Sequence, residues 1–131
     1  MSELATVETV RRTTAKNALR PRAMTMVLEG ELGRDDMAEI GELLVRLSMD
    51  GVTDLVMDFR GVTHVDYRGL STLSRRAEVF RALGGDVKLA GLSAYLFTVL
   101  QAAGVQFDFD VFADVGDAQA AFRDPVAVRA V

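Results

Sequence analysis

Apolar and polar residues alternate from residue 23 to residue 29, with Met24, Met26 and Leu28 on one face and Thr25, Val27 and Glu29 on the other, ahead of Gly30 and Gly33. Period two predicts a strand, because successive side chains of an extended backbone point to opposite faces. The period then changes. Met37, Ile40, Leu44 and Leu47 fall at helical spacing, Asp36 with Glu39 three residues on reads as an acidic variant of a capping box, and Gly51 ends the helix. Residues 54–59 (DLVMDF) are almost filled with apolar positions, the pattern of a central strand covered on both faces.

After a predicted loop over residues 61–66, the apolar positions Leu70, Leu73, Ala77 and Phe80 mark the inner face of a second helix, closed by Gly84 and Gly85. Residues 87–90 form a short strand. Ser93 caps a third helix that turns Leu96, Val99, Leu100 and Ala103 inward, with Leu92 placed to staple onto Phe97 and Gly104 as the stop. Phe107, Phe109 and Val111 alternate with Gln106, Asp108 and Asp110, which predicts a half-exposed strand, and Asp114 caps a last helix running to about Phe122. At the other end Ala5, Val7 and Val10 suit an edge strand that Pro21 terminates. Strands alternating with helices predict one α/β domain: a central mixed sheet of four to five strands, about four helices and right-handed crossovers. The expected limits are an N-terminal strand or arm over 1–22, the domain over 23–123 and a frayed tail over 124–131.

Composition narrows the function. The 131 residues include no Cys and a single His, so disulfide staples, thiolate metal sites and most histidine chemistry drop out. Residues 1–22 hold five basic groups (Arg11, Arg12, Lys16, Arg20, Arg22) against Glu3 and Glu8, a net of +3 that leaves −7 for the rest of a chain whose total is −4. An acidic body offers no phosphate-binding footprint, so no nucleic-acid partner is expected. No stretch approaches the roughly 20 apolar residues of a membrane span, no apolar signal segment opens the chain, and a cytoplasmic location is the expectation.

Catalytic constellations are missing from the pattern. His64 lies between Val62 and Val65 with no nucleophile placed beside it, and it reads as a loop histidine that finds a hydrogen bond. Asp108, Asp110 and Asp114 lack the Gly and the closing Glu of a calcium loop, and the glycines form neither dinucleotide nor P-loop fingerprints. No enzyme, metal or cofactor is expected. Met24, Met26, Met57 and the Phe residues read as core, although a small-ligand sensor would line its pocket with them.

The segment from Asp58 to Leu70, DFRGVTHVDYRGL, runs from the central strand through a turn into the start of a helix. Gly61 suits the turn, Asp66 suits an N-cap, and Gly69 suits close packing. Capping leaves Tyr67 and Arg68 unexplained. A cation at the positive end of a helix costs about 0.3–1 kcal/mol, so Arg68 needs solvent screening or an outside partner.

DFRGVTHVDYRGLSTL resembles the signature of STAS domains, the anti-sigma-factor antagonist family. The resemblance continues through GGDVKLAGLSAYLFTVLQAAGV and FADVGDAQAAF, covering about residues 23–123. It implies a bacterial regulatory domain that binds a protein, typically an anti-sigma factor that is a serine-kinase-like ATPase, through the site Asp66, Tyr67, Arg68, Gly69 and Leu70. Matched motif to motif, the family's Ser pair falls on Tyr67 and Arg68, with the phosphorylated member at Arg68. A phosphoserine brings about −1.5 to −2 of charge and a guanidinium brings +1, so that position neither carries nor imitates the modification. The alternative positions for phosphorylation, if the hydroxyl has moved, are Tyr67, Thr63, Ser71 and Ser74. The implied alternatives are a STAS subunit of a lipid-transport or other signalling assembly, and a homodimer through the N-terminal strand stays open.

Overall fold

A computed structural model describes the backbone of Thr9–Arg12 and the whole of residues 22–123. Of the sequence expectations, Ala5, Val7, Pro21 and the tail beyond residue 123 lie outside the described residues. The elements, in chain order, are β1 (Thr9–Arg12), β2 (Ala23–Leu32), α1 (Arg34–Met49), β3 (Asp54–Val65), a 3₁₀ turn (Tyr67–Gly69), α2 (Leu70–Ala82), β4 (Asp86–Ala90), α3 (Ala94–Ala103), β5 (Asp110–Phe112) and α4 (Val115–Arg123).

The sheet order is β1-β2-β3-β4-β5, with β1 antiparallel to β2 and every other pair parallel. In this monotonic order, crossovers of one hand put their helices on one face. The large core forms there, with Met24, Met26, Leu28, Leu55, Met57, Phe59, Val87 and Leu89 from the strands meeting Ile40, Leu44, Leu73, Ala77, Phe80, Leu96 and Leu100 from α1, α2 and α3. The opposite face carries the alternate residues. Val56 and Ala90 pack there on Ala118 of α4, beside buried Thr25, Asp58 and Lys88. Lys88 stays charged in that layer because Asp86 and Asp110 accept from its Nζ at 3.0 and 2.9 Å, and the Phe122 ring lies under it at 4.7 Å. Burial pushes its pKa down, but the two carboxylates outweigh it and the net shift is upward.

Four local expectations are corrected. Residues 61–65 are not a loop: β3 continues to Val65 because β2 is long enough to pair with it through Glu29–Gly61, Gly30–Val62, Glu31–His64 and Leu32–Val65, across two register shifts. Asp36 does not start α1. The N-cap is Gly33, and the Asp36 carboxylate reaches back to accept from its N–H at 2.9 Å. The predicted strand at 106–111 contracts to β5, since Gln106–Phe109 turn back with Asp108 N–H bonded to the Val105 carbonyl at 2.9 Å, leaving Phe107 91% exposed. The second helix starts at Leu70, because residues 67–69 form a tighter turn. Ser93 and Asp114 cap as expected, accepting from Leu96 N–H at 3.1 Å and Asp117 N–H at 2.8 Å.

Candidate functional site: the β3–α2 junction

The long β3 lifts residues 63–68 beyond the point where β4 stops pairing at Asp58–Ala90. Asp66 N–H then bonds the Leu32 carbonyl at 2.9 Å, tying the chain to the end of β2 before it turns. The turn is self-satisfying. Asp66 Oδ1 accepts from Arg68 N–H at 2.9 Å, Gly69 N–H donates to the Asp66 carbonyl at 2.9 Å, and Leu70 N–H donates to the Tyr67 carbonyl.

Arg68 closes on the same carboxylate, its Nε donating to Asp66 Oδ1 at 3.1 Å and its Nη2 to Oδ2 at 2.9 Å. This overturns the expectation that only solvent or an outside partner could compensate a cation here: the capping residue does it. Side-chain and backbone hydrogen bonds from Arg68 hold the Asp66 pKa down to about 2, and Asp66 in turn raises that of Arg68. The same Asp-x-Arg clasp occurs eight residues earlier, where Asp58, 2% exposed, accepts from Arg60 Nε at 3.0 Å and Nη2 at 2.7 Å. Sequence reading missed both clasps, although the repeated D-x-R spacing was there to find them.

Exposure sorts the expected site. Tyr67 is 55% exposed and the Arg68 side chain 61%, whereas Gly69 and Leu70 face inward. Gly69 is required by packing: a Cβ there would stand 2.6 Å from Met37 Cβ of α1. The outward surface is therefore Asp66, Tyr67 and Arg68 alone. Of the other hydroxyls, Thr63 and Ser71 are exposed, while Ser74 donates to Asp108 Oδ2 at 2.7 Å. His64 sits on β3, and its Nδ1 meets the Tyr95 hydroxyl of α3 at 2.7 Å with the two rings stacked. Between the turn and α3 lies an open groove of about 450 Å³ lined by His64, Val65, Tyr67, Arg68, Tyr95 and Val99, among others. Among the described residues no group of three or more acidic or histidine side chains converges on a metal position, and no helix is long and apolar enough to cross a membrane.

Comparison with known proteins adds identity to geometry. No curated protein sequence matches significantly. Among solved structures, the chain is similar to the anti-sigma factor antagonist SpoIIAA in its unphosphorylated form, at 20% identity and TM-score 0.71, over 88% of this chain and 95% of that one. It is also similar to an anti-sigma factor antagonist from Mycobacterium paratuberculosis (16%, TM-score 0.68, 92% and 100% covered) and to the STAS domain of a SulP transporter from Vibrio cholerae (21%, 0.59, 86% and 90%). These likenesses carry the fold. The sequence itself matches the STAS domain family over residues 5–118, from before β1 into α4, and the chain belongs to that family.

Proposed function

We propose that this protein is a non-catalytic, cytoplasmic regulatory domain that binds a protein partner through the tip of the β3–α2 junction, and that it does so without a phosphorylation cycle. The observation that supports this reading is the clasp of Arg68 on Asp66 at 2.9 Å, a held cation where the resemblance would put the family's phosphorylated Ser. A side chain held on one edge by a carboxylate and otherwise exposed is suited to contact, since its ordering entropy is already spent. The partner that best fits is an anti-sigma factor of the serine-kinase-like ATPase type or a related signalling subunit.

Incubation with ATP and the cognate kinase tests this. The wild type is expected to keep its mass, while Arg68→Ser, which restores a hydroxyl at the matched position, is expected to gain one phosphate. Phosphate on residues 63–74 of the wild type would contradict the reading. A second reading, a STAS subunit of a transport assembly, is favoured by the likeness to the SulP transporter domain. Copurification from the native organism separates the two, because the transport reading requires a membrane permease in the complex and the first reading a serine-kinase-like anti-sigma factor or signalling subunit without one.

A further inference from the structure

The groove beside the tip has properties that the tip alone does not. Its floor is apolar, formed by Val65 and Val99 with Ala102 at the rim, and its walls carry the two exposed tyrosines, Tyr67 and Tyr95. Tyr95, Thr98, Val99 and Ala102 form one stripe of α3, the spacing at which a helix face repeats. Tyr95 and Arg68 are held before anything binds. The Tyr95 hydroxyl is fixed by His64 Nδ1 at 2.7 Å, and the Arg68 guanidinium is fixed by Asp66 through Nε and one Nη2 proton. A guanidinium has five N–H donors, so three remain on the outward edge of Arg68. Arg34 adds a second positive charge close enough to act on Asp66.

We propose that this groove receives a segment of the protein partner that combines an apolar side chain with an adjacent carboxylate. The apolar side chain lies on Val65, Val99 and Ala102 between the two tyrosines, and the carboxylate takes the outward edge of Arg68. Charge complementarity selects the occupant: Asp66, which also lines the groove, takes only the inner edge of Arg68, Arg34 also acts on Asp66, and a carboxylate matches the remaining fork of donors on Arg68. Openness argues the same way, since a small molecule in a well-formed pocket is mostly enclosed, whereas this groove lies open along a helix as a peptide requires. Two exposed tyrosines beside an Arg, one of them held by His64, are also the residue types that dominate binding energy at protein interfaces. The inference rests on the reading that the junction docks a protein, and adds α3 to the surface with a chemistry for what it accepts.

The test needs no known partner. A random 12-residue peptide library displayed on phage is panned against the folded wild-type protein, and an enriched peptide is synthesised and titrated by ¹H–¹⁵N NMR. The expected result is a consensus with Asp or Glu next to a large apolar residue, and shifts confined to Val65, Tyr67, Arg68, Tyr95, Thr98, Val99 and Ala102. Ala102→Glu, at an exposed helix position that tolerates glutamate, is expected to weaken the peptide by about tenfold or more through like-charge repulsion. Arg68→Lys keeps the charge but loses the fork and is expected to weaken it less than Arg68→Ala does. Enrichment of nothing, or of basic peptides, would overturn the proposal. Shifts on the exposed face of α2 around Arg75 would also overturn it while leaving the docking function of the junction standing.

Discussion

Asp66 shows how one side chain can fix a site. It caps the turn, it clamps Arg68, and its own carboxyl is pulled down to about 2 as a result. A carboxyl whose folded pKa lies below its unfolded value contributes stability that is complete above the unfolded pKa and is lost as pH falls through the folded one. The stability that the Asp66 clasp contributes is therefore expected to be complete from neutral pH to near 4 and to be lost between about 4 and 2, the clasp itself releasing near 2 as the folded carboxyl protonates. Titration of the Asp66 carboxyl carbon by NMR checks this, with Arg68→Ala expected to return the midpoint towards the ordinary carboxylate range. An unchanged midpoint in that variant would mean that Arg68 does not hold Asp66. Gly69 is a second residue whose role is steric. Gly69→Ala drives a methyl group into Met37, and by the usual cost of overpacking it is expected to lose about 1–3 kcal/mol in urea denaturation.

Among the elements, the ones with a clear apolar period were legible from sequence and the ones shaped by partners were not. The faces Leu70-Leu73-Ala77-Phe80 and Leu96-Val99-Leu100, and the caps at Ser93 and Asp114, follow from local spacing alone. The extension of β3 to Val65 could not be seen in GVTHV, because what holds that stretch in the sheet is the length of β2 beside it. The 107–111 alternation misled for the opposite reason: its pattern suits a strand, but residues 106–109 turn on the bond from Asp108 N–H to the Val105 carbonyl, so pairing with β4 begins only at Asp110 opposite Lys88. Phe107 and Phe109 then have unequal roles. Phe107→Ser is expected to change stability by no more than about 0.5 kcal/mol, as exposed substitutions do. Phe109→Ala, which empties a core position, is expected to cost about 3–5 kcal/mol. Equal losses in urea denaturation would restore the strand. Ser93→Ala, by removing the α3 cap, is expected to cost about 1 kcal/mol in the same assay.

Over the whole molecule, one sheet face is sealed by three helices and the other by α4 over a polar layer. Asp86, at the start of β4, borders that layer and accepts from Lys88. Burial raises its pKa, yet hydrogen bonds from Arg81, Lys88 and Val87 N–H outweigh burial and hold it below the usual range. By the same linkage, its contribution is present at neutral pH and fades as pH falls below the unfolded carboxylate value. The urea midpoint of the wild type is expected to drop on acidification more steeply than that of Asp86→Asn. The site follows the same division between local and assembled features. The cap and the tight packing of Gly69 could be read along the chain, while the His64–Tyr95 contact spans 31 residues and emerges only when α3 crosses beside the tip. The central claim is that a clasped Arg68 makes the contact with the partner. Its most direct measurement is the affinity of the copurified partner for wild type and for Arg68→Glu by calorimetry. The account predicts that the folded variant binds at least about tenfold more weakly, and an affinity equal to wild type would contradict it.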